Sequence, residues 1–376
     1  MSNKKETVLR DLDLPALQAF GWNTDDQHQL EAWRNFRTLS DRGEAGLASC
    51  LARVIAVERT GLTVAPHLNA PDGHIPVSGR WFRGDEETRP TIGDWVVIDS
   101  QTGMLLDMLP RRSVIKRVNP LGALQLIAAN VDAALIVTSC NADFSLERLE
   151  RYLSVVLEAN ITPVLVLTKI DLAKDPGIFI EALSKRFPEI AQVAVDALSE
   201  GAVAALTPWC TQGQTIVLLG SSGVGKSTLV NALSGAAVQQ TAAIREEDGK
   251  GRHTTTKRSL HRLPQGGVIL DIPGMRELQL AKAEEGIEEL FADLEALAAT
   301  CRFNDCSHAS EPGCAVRAAI DSSELDEERL RHYQSLKAEE SLNREALAAR
   351  HMRHRAFGKK TRGAARAKQQ SKDPDQ

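Results

Sequence analysis

Long hydrophobic runs are absent from this 376-residue sequence. No apolar stretch approaches the roughly 20 residues that a helix needs to cross a bilayer, and this excludes a membrane-spanning helix. The N-terminus also lacks an apolar signal segment, so we expect a protein of the reducing cytoplasm. The length is sufficient for two or three domains, each with a hydrophobic core of its own.

Cysteine is scarce, with six residues in the chain. Cys50, Cys140 and Cys210 are far apart, and we interpret them as ordinary buried thiols. The others belong to the pattern C-x(4)-C-x-H-x(5)-C, whose soft ligands are Cys301, Cys306, His308 and Cys314. A disulfide is the alternative, but a reducing compartment favours one structural Zn²⁺ ion. A site with four protein ligands is closed, so we expect it to stabilise a fold and not to catalyse.

The most informative motif is a glycine-rich loop that follows a short apolar run. Thr215–Leu219 predicts a buried strand, and the next residues match G-x-x-x-x-G-K-[ST]. Its glycines let successive N–H groups converge on an anion, and the helix predicted to begin near Lys226 adds the positive end of its dipole. We expect Lys226 to reach the β- and γ-phosphates and Ser227 to ligate Mg²⁺. The candidate phosphate-binding residues are Gly220, Ser221, Ser222, Gly223, Val224, Gly225, Lys226, Ser227 and Thr228.

A candidate base-recognition element lies upstream of this loop. Val164–Leu167 predicts a parallel strand, which leads directly into Thr168, Lys169, Ile170 and Asp171. This T-K-I-D sequence is a variant of N-K-x-D, whose carboxylate accepts hydrogen bonds from N1–H and the exocyclic amine of guanine. Adenine lacks those donors, and an unpaired buried carboxylate is costly, so the motif predicts selectivity for GTP. A charged turn between a strand and a helix is the alternative for so short a sequence.

A third motif, D-x-x-G, ends the apolar run that begins at Val268. We expect Asp271 to hold Mg²⁺ through water and the Gly274 N–H to meet the γ-phosphate. In an ordinary GTPase the guanine motif comes last, whereas here it comes first. The order predicts a circular permutation of the same parallel sheet, in which strand neighbours are kept and only the connections change.

The composition divides the chain into five segments. Residues 1–47 predict a short helical extension, and short β-type runs in 48–112 predict a five-stranded barrel of the oligonucleotide-binding (OB) type. Residues 113–278 carry the nucleotide motifs, 279–345 the cysteine cluster, and 346–376 a basic tail that we expect to be disordered. The β-type runs include residues 53–57, 61–64, 79–83 and 93–98.

The net charge of −5 hides an asymmetry, because basic residues are concentrated between Arg350 and Lys368. Such a tail can neutralise RNA phosphates, although a solvated tail without a function is the alternative. In the barrel, side chains alternate along a strand, so Trp81 and Phe82 cannot both be buried. The outward one can stack on an RNA base, or it can be a surface side chain without a role.

Together these motifs resemble those of the RsgA (YjeQ) family of circularly permuted GTPases. The resemblance covers about residues 48–340 and includes Ala129–Asp132 and the G-R-H-T-T-T sequence of residues 251–256. It implies an all-β OB-type barrel facing RNA, a permuted α/β P-loop GTPase domain and a C-terminal zinc-binding helical module. It also implies action on the small ribosomal subunit during assembly. Two departures are Thr168, where many relatives carry Asn, and Asp196–Ala197, where Ser-Ala is commoner in the loop that contacts the base.

The residue that orients the attacking water is not the usual one. Ras-like enzymes use a Gln just after D-x-x-G, and here that position is Met275. By resemblance the best-placed substitute is His253, and the alternative is a surface loop histidine without a catalytic role. One threonine among Thr254, Thr255 and Thr256 is expected to ligate Mg²⁺, and we favour Thr255.

We therefore expect a monomeric GTPase that binds GTP and GDP, carries Zn²⁺ and Mg²⁺, and is stimulated by the small ribosomal subunit and its rRNA. In the alternative hypothesis it is a constitutive rRNA-binding assembly protein, in which nucleotide is mainly structural. A P-loop kinase or ATPase is disfavoured by Asp171.

Overall fold

The computed structural model describes residues 13–39, 49–58, 60–66, 72–77, 79, 81, 85–119, 121–235, 259–271 and 279–370. The described helices are α1 (Leu14–Gln18), α2 (Thr24–Leu39), α3 (Leu146–Glu158), α4 (Gly177–Arg186), α5 (Glu200–Leu206), α6 (Lys226–Ser234), α7 (Glu284–Leu290), α8 (Ala292–Ala298), α9 (Ala315–Asp321) and α10 (Glu327–Gln370). The strands are β1 (Ser49–Val57), β2 (Gly61–Ala65), β3 (Gly73–Pro76), β4 (Trp95–Asp99), β5 (Leu105–Met108), β6 (Val114–Val118), β7 (Leu124–Ala129), β8 (Ala133–Ser139), β9 (Thr162–Thr168), β10 (Ala191–Ala194), β11 (Thr215–Leu219), β12 (Ser259–Arg262) and β13 (Val268–Asp271). None of these helices is both long and apolar enough to span a membrane.

The first sheet is antiparallel and has the strand order β3-β2-β1-β4-β5. It curls into a half-barrel, which confirms the predicted all-β N-terminal domain; among the described strands the outer two, β3 and β5, do not pair with each other. The strand predicted over residues 79–83 is wrong, because the described residues there, Gly79 and Trp81, are helical. Trp81 packs against the apolar face of the sheet, and this tertiary contact outweighs the β propensity of its neighbours. Phe82 lies outside the described residues.

The N-terminal helices fill the junction between this half-barrel and the rest of the chain. Phe20 and Trp22 pack edge-on against Trp95 of β4, with ring centroids 6.0 and 4.8 Å from that of Trp95. Beside them lies Arg53 of β1, which is completely buried, and burial lowers its pKa to about 10. Its guanidinium donates to the Phe20 carbonyl oxygen (2.5 Å) and to the Thr215 hydroxyl of β11 (2.9 Å). The extension, which carries no recognisable sequence motif, is therefore part of the core that joins the domains.

The second sheet has the order β10-β9-β8-β11-β13-β12, and every pair is parallel except β12 with β13. Its central strands β8 and β11 are buried along their whole length, as expected of strands covered on both faces. Helix α3 begins directly after Ser145, because the Ser145 hydroxyl accepts the Arg148 N–H (3.2 Å) and caps the helix. In a parallel sheet the carboxyl ends of the strands share one edge, so the loops after β9 and β11 lie at the same edge, where β13 also ends.

The C-terminal helices pack on α3. The contact with α7 is so close that a Cβ at Gly286 would clash with the Ser154 carbonyl oxygen. The buried Glu150 carboxylate of α3 pairs with Arg186 of α4 (2.7 Å) and with His332 of α10 (2.8 Å). These contacts fix the C-terminal module against the parallel sheet.

Helix α10 differs from the expectation for the C-terminus. The sequence predicts disorder from residue 346, whereas the helix continues to Gln370. Residues 327–370 contain no proline and are rich in Ala, Leu, Arg and Lys, which have high helix propensity. A basic composition therefore does not prevent this segment from being helical.

Candidate nucleotide and metal sites

The glycine-rich loop connects β11 to α6 at the carboxyl edge of the parallel sheet. Gly220 has φ 140°, and a side chain there would clash with the Val137 carbonyl oxygen of β8. Gly225 caps α6 in the left-handed conformation, with φ 97°. The Lys226 ammonium donates to the carbonyl oxygens of Gly220 (2.8 Å) and Ser221. The loop thus has the strand, turn and helix start that an anion-binding cradle requires.

Thr168 joins this loop to the T-K-I-D element. Its buried hydroxyl oxygen lies 2.6 Å from the Val224 carbonyl oxygen and 3.0 Å from that of Thr138. The hydroxyl has one proton and donates to one of these acceptors at a time, the Val224 oxygen being nearer. Thr168 thus directly connects the two loops.

The rest of the T-K-I-D element turns away from the sheet. Lys169 has φ 57° and its carbonyl oxygen accepts the Leu172 N–H (3.2 Å), so the chain reverses immediately after β9. Ile170 packs against the core, and Asp171 is exposed at the sheet edge. Burial raises the pKa of the Cys140 thiol, and the nearby negative charge of Asp171 raises it further. Asp171 is thus available for a ligand on the same edge as the phosphate loop.

The loop after β10 lies next to this element. The Val195 N–H donates to the Leu167 carbonyl oxygen of β9 (2.8 Å). The Asp196 carboxylate accepts the Leu198 N–H (2.9 Å), and Ala197 is buried. The Asp196 side chain thus forms a local turn with the backbone at the start of this loop.

The structure describes only some of the remaining candidate residues. Ser227 and Thr228 occupy the first turn of α6, and Asp271 is the last residue of β13, the strand beside β11. His253, Thr255 and the other residues of 251–256, as well as Gly274 and Met275, lie outside the described residues.

Two side chains on α3 contact the phosphate loop, although no sequence motif points to either of them. The Arg148 guanidinium donates to the Ser221 hydroxyl (2.6 Å). The buried Tyr152 hydroxyl also hydrogen-bonds with Ser221, and burial raises the pKa of Tyr152. Positions 148 and 152 are one helical turn apart and share a face. The sequence predicts that these two positions share a helix face, but it does not indicate which distant loop that face contacts.

The four candidate zinc ligands converge between α8 and α9. The donor atoms of Cys301, Cys306, His308 and Cys314 all lie within 4.8 Å of one another. The His308 Nδ1 is 3.7 Å from the Cys301 Sγ and 3.4 Å from the Cys314 Sγ, and all six cysteines are free thiols. Three thiolates and one imidazole are the donor set of a closed structural zinc site, so the residues fit the ion.

An acidic residue organises the loop that carries His308. Hydrogen bonds from the Ser307 hydroxyl and from backbone N–H groups lower the pKa of the Glu311 carboxyl to about 2. The donors include the N–H groups of Ser307 (2.9 Å) and Ala309 (2.9 Å), on either side of His308.

The three other cysteines lie outside this cluster. The expectation of buried thiols holds for Cys140 and Cys210 but is wrong for Cys50, which is exposed near the start of β1.

The parallel sheet carries a guanine-type element after β9 and a phosphate loop after β11. This order along the chain defines a P-loop protein whose motifs are permuted. The RsgA GTPase family model matches residues 108–281. The ABC transporter model matches residues 205–360, a span that includes the phosphate loop common to many P-loop proteins.

Known proteins resemble the chain over nearly its whole length. "Small ribosomal subunit biogenesis GTPase RsgA 2" of Vibrio parahaemolyticus is 45% identical over 363 residues, which cover 94% of this chain and 95% of that protein. RsgA of Mesorhizobium japonicum is 43% identical, covering 88% and 91%. Among solved structures, YjeQ from Thermotoga maritima matches with a TM-score of 0.57 at 22% identity, covering 77% of this chain and 97% of that one. YloQ, described as a circularly permuted GTPase, matches with a TM-score of 0.54 at 26% identity, covering 79% and 98%. The chain belongs to the RsgA GTPase family.

Proposed function

We propose that this protein hydrolyses GTP while bound to the small ribosomal subunit and assists late maturation of that subunit. The observation that carries the proposal is the Thr168–Val224 contact, which joins a guanine-type element to the phosphate loop in the permuted order. The relatives that cover nearly the whole chain are named small ribosomal subunit biogenesis GTPases.

Each motif has a distinct role in this proposal. Asp171 selects guanine, Lys226 binds the β- and γ-phosphates, and the loop N–H groups neutralise phosphate charge. Ser227, Thr255 and Asp271 are the residues that would hold Mg²⁺, directly or through water. When bound, Mg²⁺ neutralises charge that develops on the phosphates. His253 orients the attacking water, since Met275 cannot.

Two regions are proposed to contact rRNA. The first is the half-barrel, and the second is the basic C-terminal part of α10. We place the domain boundaries near residues 112 and 278, in keeping with a family match that runs from 108 to 281. Within this proposal the protein acts as a monomer in the cytoplasm.

GTP turnover by the purified protein, with and without small ribosomal subunits, tests the proposal. Subunits are expected to accelerate turnover, and His253→Ala is expected to depress the stimulated rate roughly 100-fold with GTP affinity nearly unchanged. Equal rates with and without subunits would instead favour the alternative, a constitutive rRNA-binding protein whose nucleotide stabilises the fold.

A further inference from the structure

The chain that leaves D-x-x-G is held by the C-terminal helix at Leu280. Its backbone N–H donates to Glu339 Oε1 (3.2 Å), and its carbonyl oxygen accepts from Asn343 Nδ2 (2.9 Å). Glu339 and Asn343 are one turn apart on α10 and therefore share a face. Both the N–H and the carbonyl oxygen of Leu280 are thus hydrogen-bonded to side chains of a single helix.

The same carboxylate is tied to the nucleotide-binding domain. Arg151 Nη1 of α3 lies 2.6 Å from each of the two Glu339 carboxylate oxygens. One turn earlier on α3, Arg148 holds Ser221 of the phosphate loop. Helix α3 therefore contacts the phosphate loop directly and reaches the chain after D-x-x-G through Glu339.

The neighbouring positions strengthen this anchor. The Gln279 carbonyl oxygen accepts the Val118 N–H of β6 (3.3 Å). Ala281 is buried in a small cluster with Leu347 of α10. The chain around Leu280 consequently lies between β6 on one side and α10 on the other.

We propose that Glu339 and Asn343 are positioning residues for GTP hydrolysis. The segment after D-x-x-G responds to the γ-phosphate in GTPases. Leu280, where α10 holds the chain, follows this segment closely in the sequence. Glu339 and Asn343 therefore fix the chain on the downstream side of a segment that responds to the nucleotide. The inference rests on the proposed function in taking GTP as the substrate, but it does not require stimulation by the ribosome.

Variants of the full-length protein separate the two hydrogen bonds. Asn343→Leu removes the donor to the Leu280 carbonyl oxygen, and Glu339→Leu removes the acceptor for its N–H. Each is expected to lower kcat of GTP turnover without subunits by about tenfold and to leave KM within about twofold, since small displacements near the reacting groups are costly to rate. Glu345→Gln, an exposed change on the same helix, is the matched control and is expected to have no effect.

A charge swap distinguishes positioning from simple stabilisation. The double variant Arg151→Glu, Glu339→Arg can re-form an ion pair, but the guanidinium that it introduces on α10 offers no acceptor for the Leu280 N–H. We expect the swap to recover thermal stability relative to Glu339→Leu and to keep the lowered kcat. Hydrogen exchange of the Leu280 amide is expected to be faster in both.

The outcomes are separable from those of the proposed function. Recovery of kcat by the swap, or unchanged kcat in both Asn343→Leu and Glu339→Leu, would overturn the positioning role. If wild-type turnover is not stimulated by small subunits, the proposed function fails, and the same variants still decide the inference from turnover of the protein alone.

Discussion

Replacing Thr168 by valine is the most direct test of how the two nucleotide loops are joined. Valine keeps the shape of threonine but lacks the hydroxyl that lies 2.6 Å from the Val224 carbonyl oxygen. Both residues are buried, so the carbonyl group would lose a partner that water does not replace. Leaving such a group unpaired costs about 1–3 kcal/mol.

That cost should appear mainly in nucleotide binding. If the hydroxyl holds the guanine element and the phosphate loop in their binding positions, the full cost corresponds to a roughly 5- to 150-fold loss of affinity. We expect a loss of about tenfold, because part of the cost is borne by the stability of the free protein. Titration with a fluorescent GTP analogue in the presence of Mg²⁺ measures the affinity. Urea unfolding measures the part of the cost that lowers the stability of the free protein.

Thr168→Ser is the matched control because it retains the hydroxyl and removes only a methyl group. It should bind GTP with nearly wild-type affinity. The reasoning fails if Thr168→Val binds as tightly as wild type, or if the serine and valine variants lose the same affinity, since the hydroxyl would then not be the link.

Three further predictions address the base, the metal and a buried acid. Asp171→Asn should shift preference from GTP toward xanthosine triphosphate in competition binding; an unchanged preference would mean that T-K-I-D does not read the base. Metal analysis should find about one zinc per chain in the wild type and none in Cys306→Ala, and a metal-free wild type would contradict the site. Burial raises the pKa of Glu340, whose Oε1 has no hydrogen-bond partner among the described residues. Its stabilising protonated form is lost as pH rises through the folded-state pKa, so Glu340→Gln should raise Tm at neutral pH and have little effect near pH 4. An equal Tm shift at both pH values would argue against this cause.

Local sequence determines the chemistry of the sites well. The phosphate loop needs glycines at Gly220 and Gly225 because each has a backbone conformation that other residues rarely adopt. The zinc ligands lie within one short stretch, so their spacing nearly dictates that they meet. The order of the motifs along the chain also predicts the permuted sheet, because parallel strands bring their carboxyl ends to one edge.

Contacts between distant segments were decided only by the tertiary structure. Arg148 reaches Ser221, and Arg53 reaches Thr215, across separations for which the sequence carries no period or motif. The helical conformation at Trp81 likewise follows from packing against the half-barrel and not from local propensity. The sequence by itself determined which residues can bind phosphate, guanine and zinc, since that depends on side-chain chemistry and local backbone freedom. The arrangement of α3 and α10 around these sites was settled by the packing of whole elements, because burial and long-range hydrogen bonds depend on the complete fold.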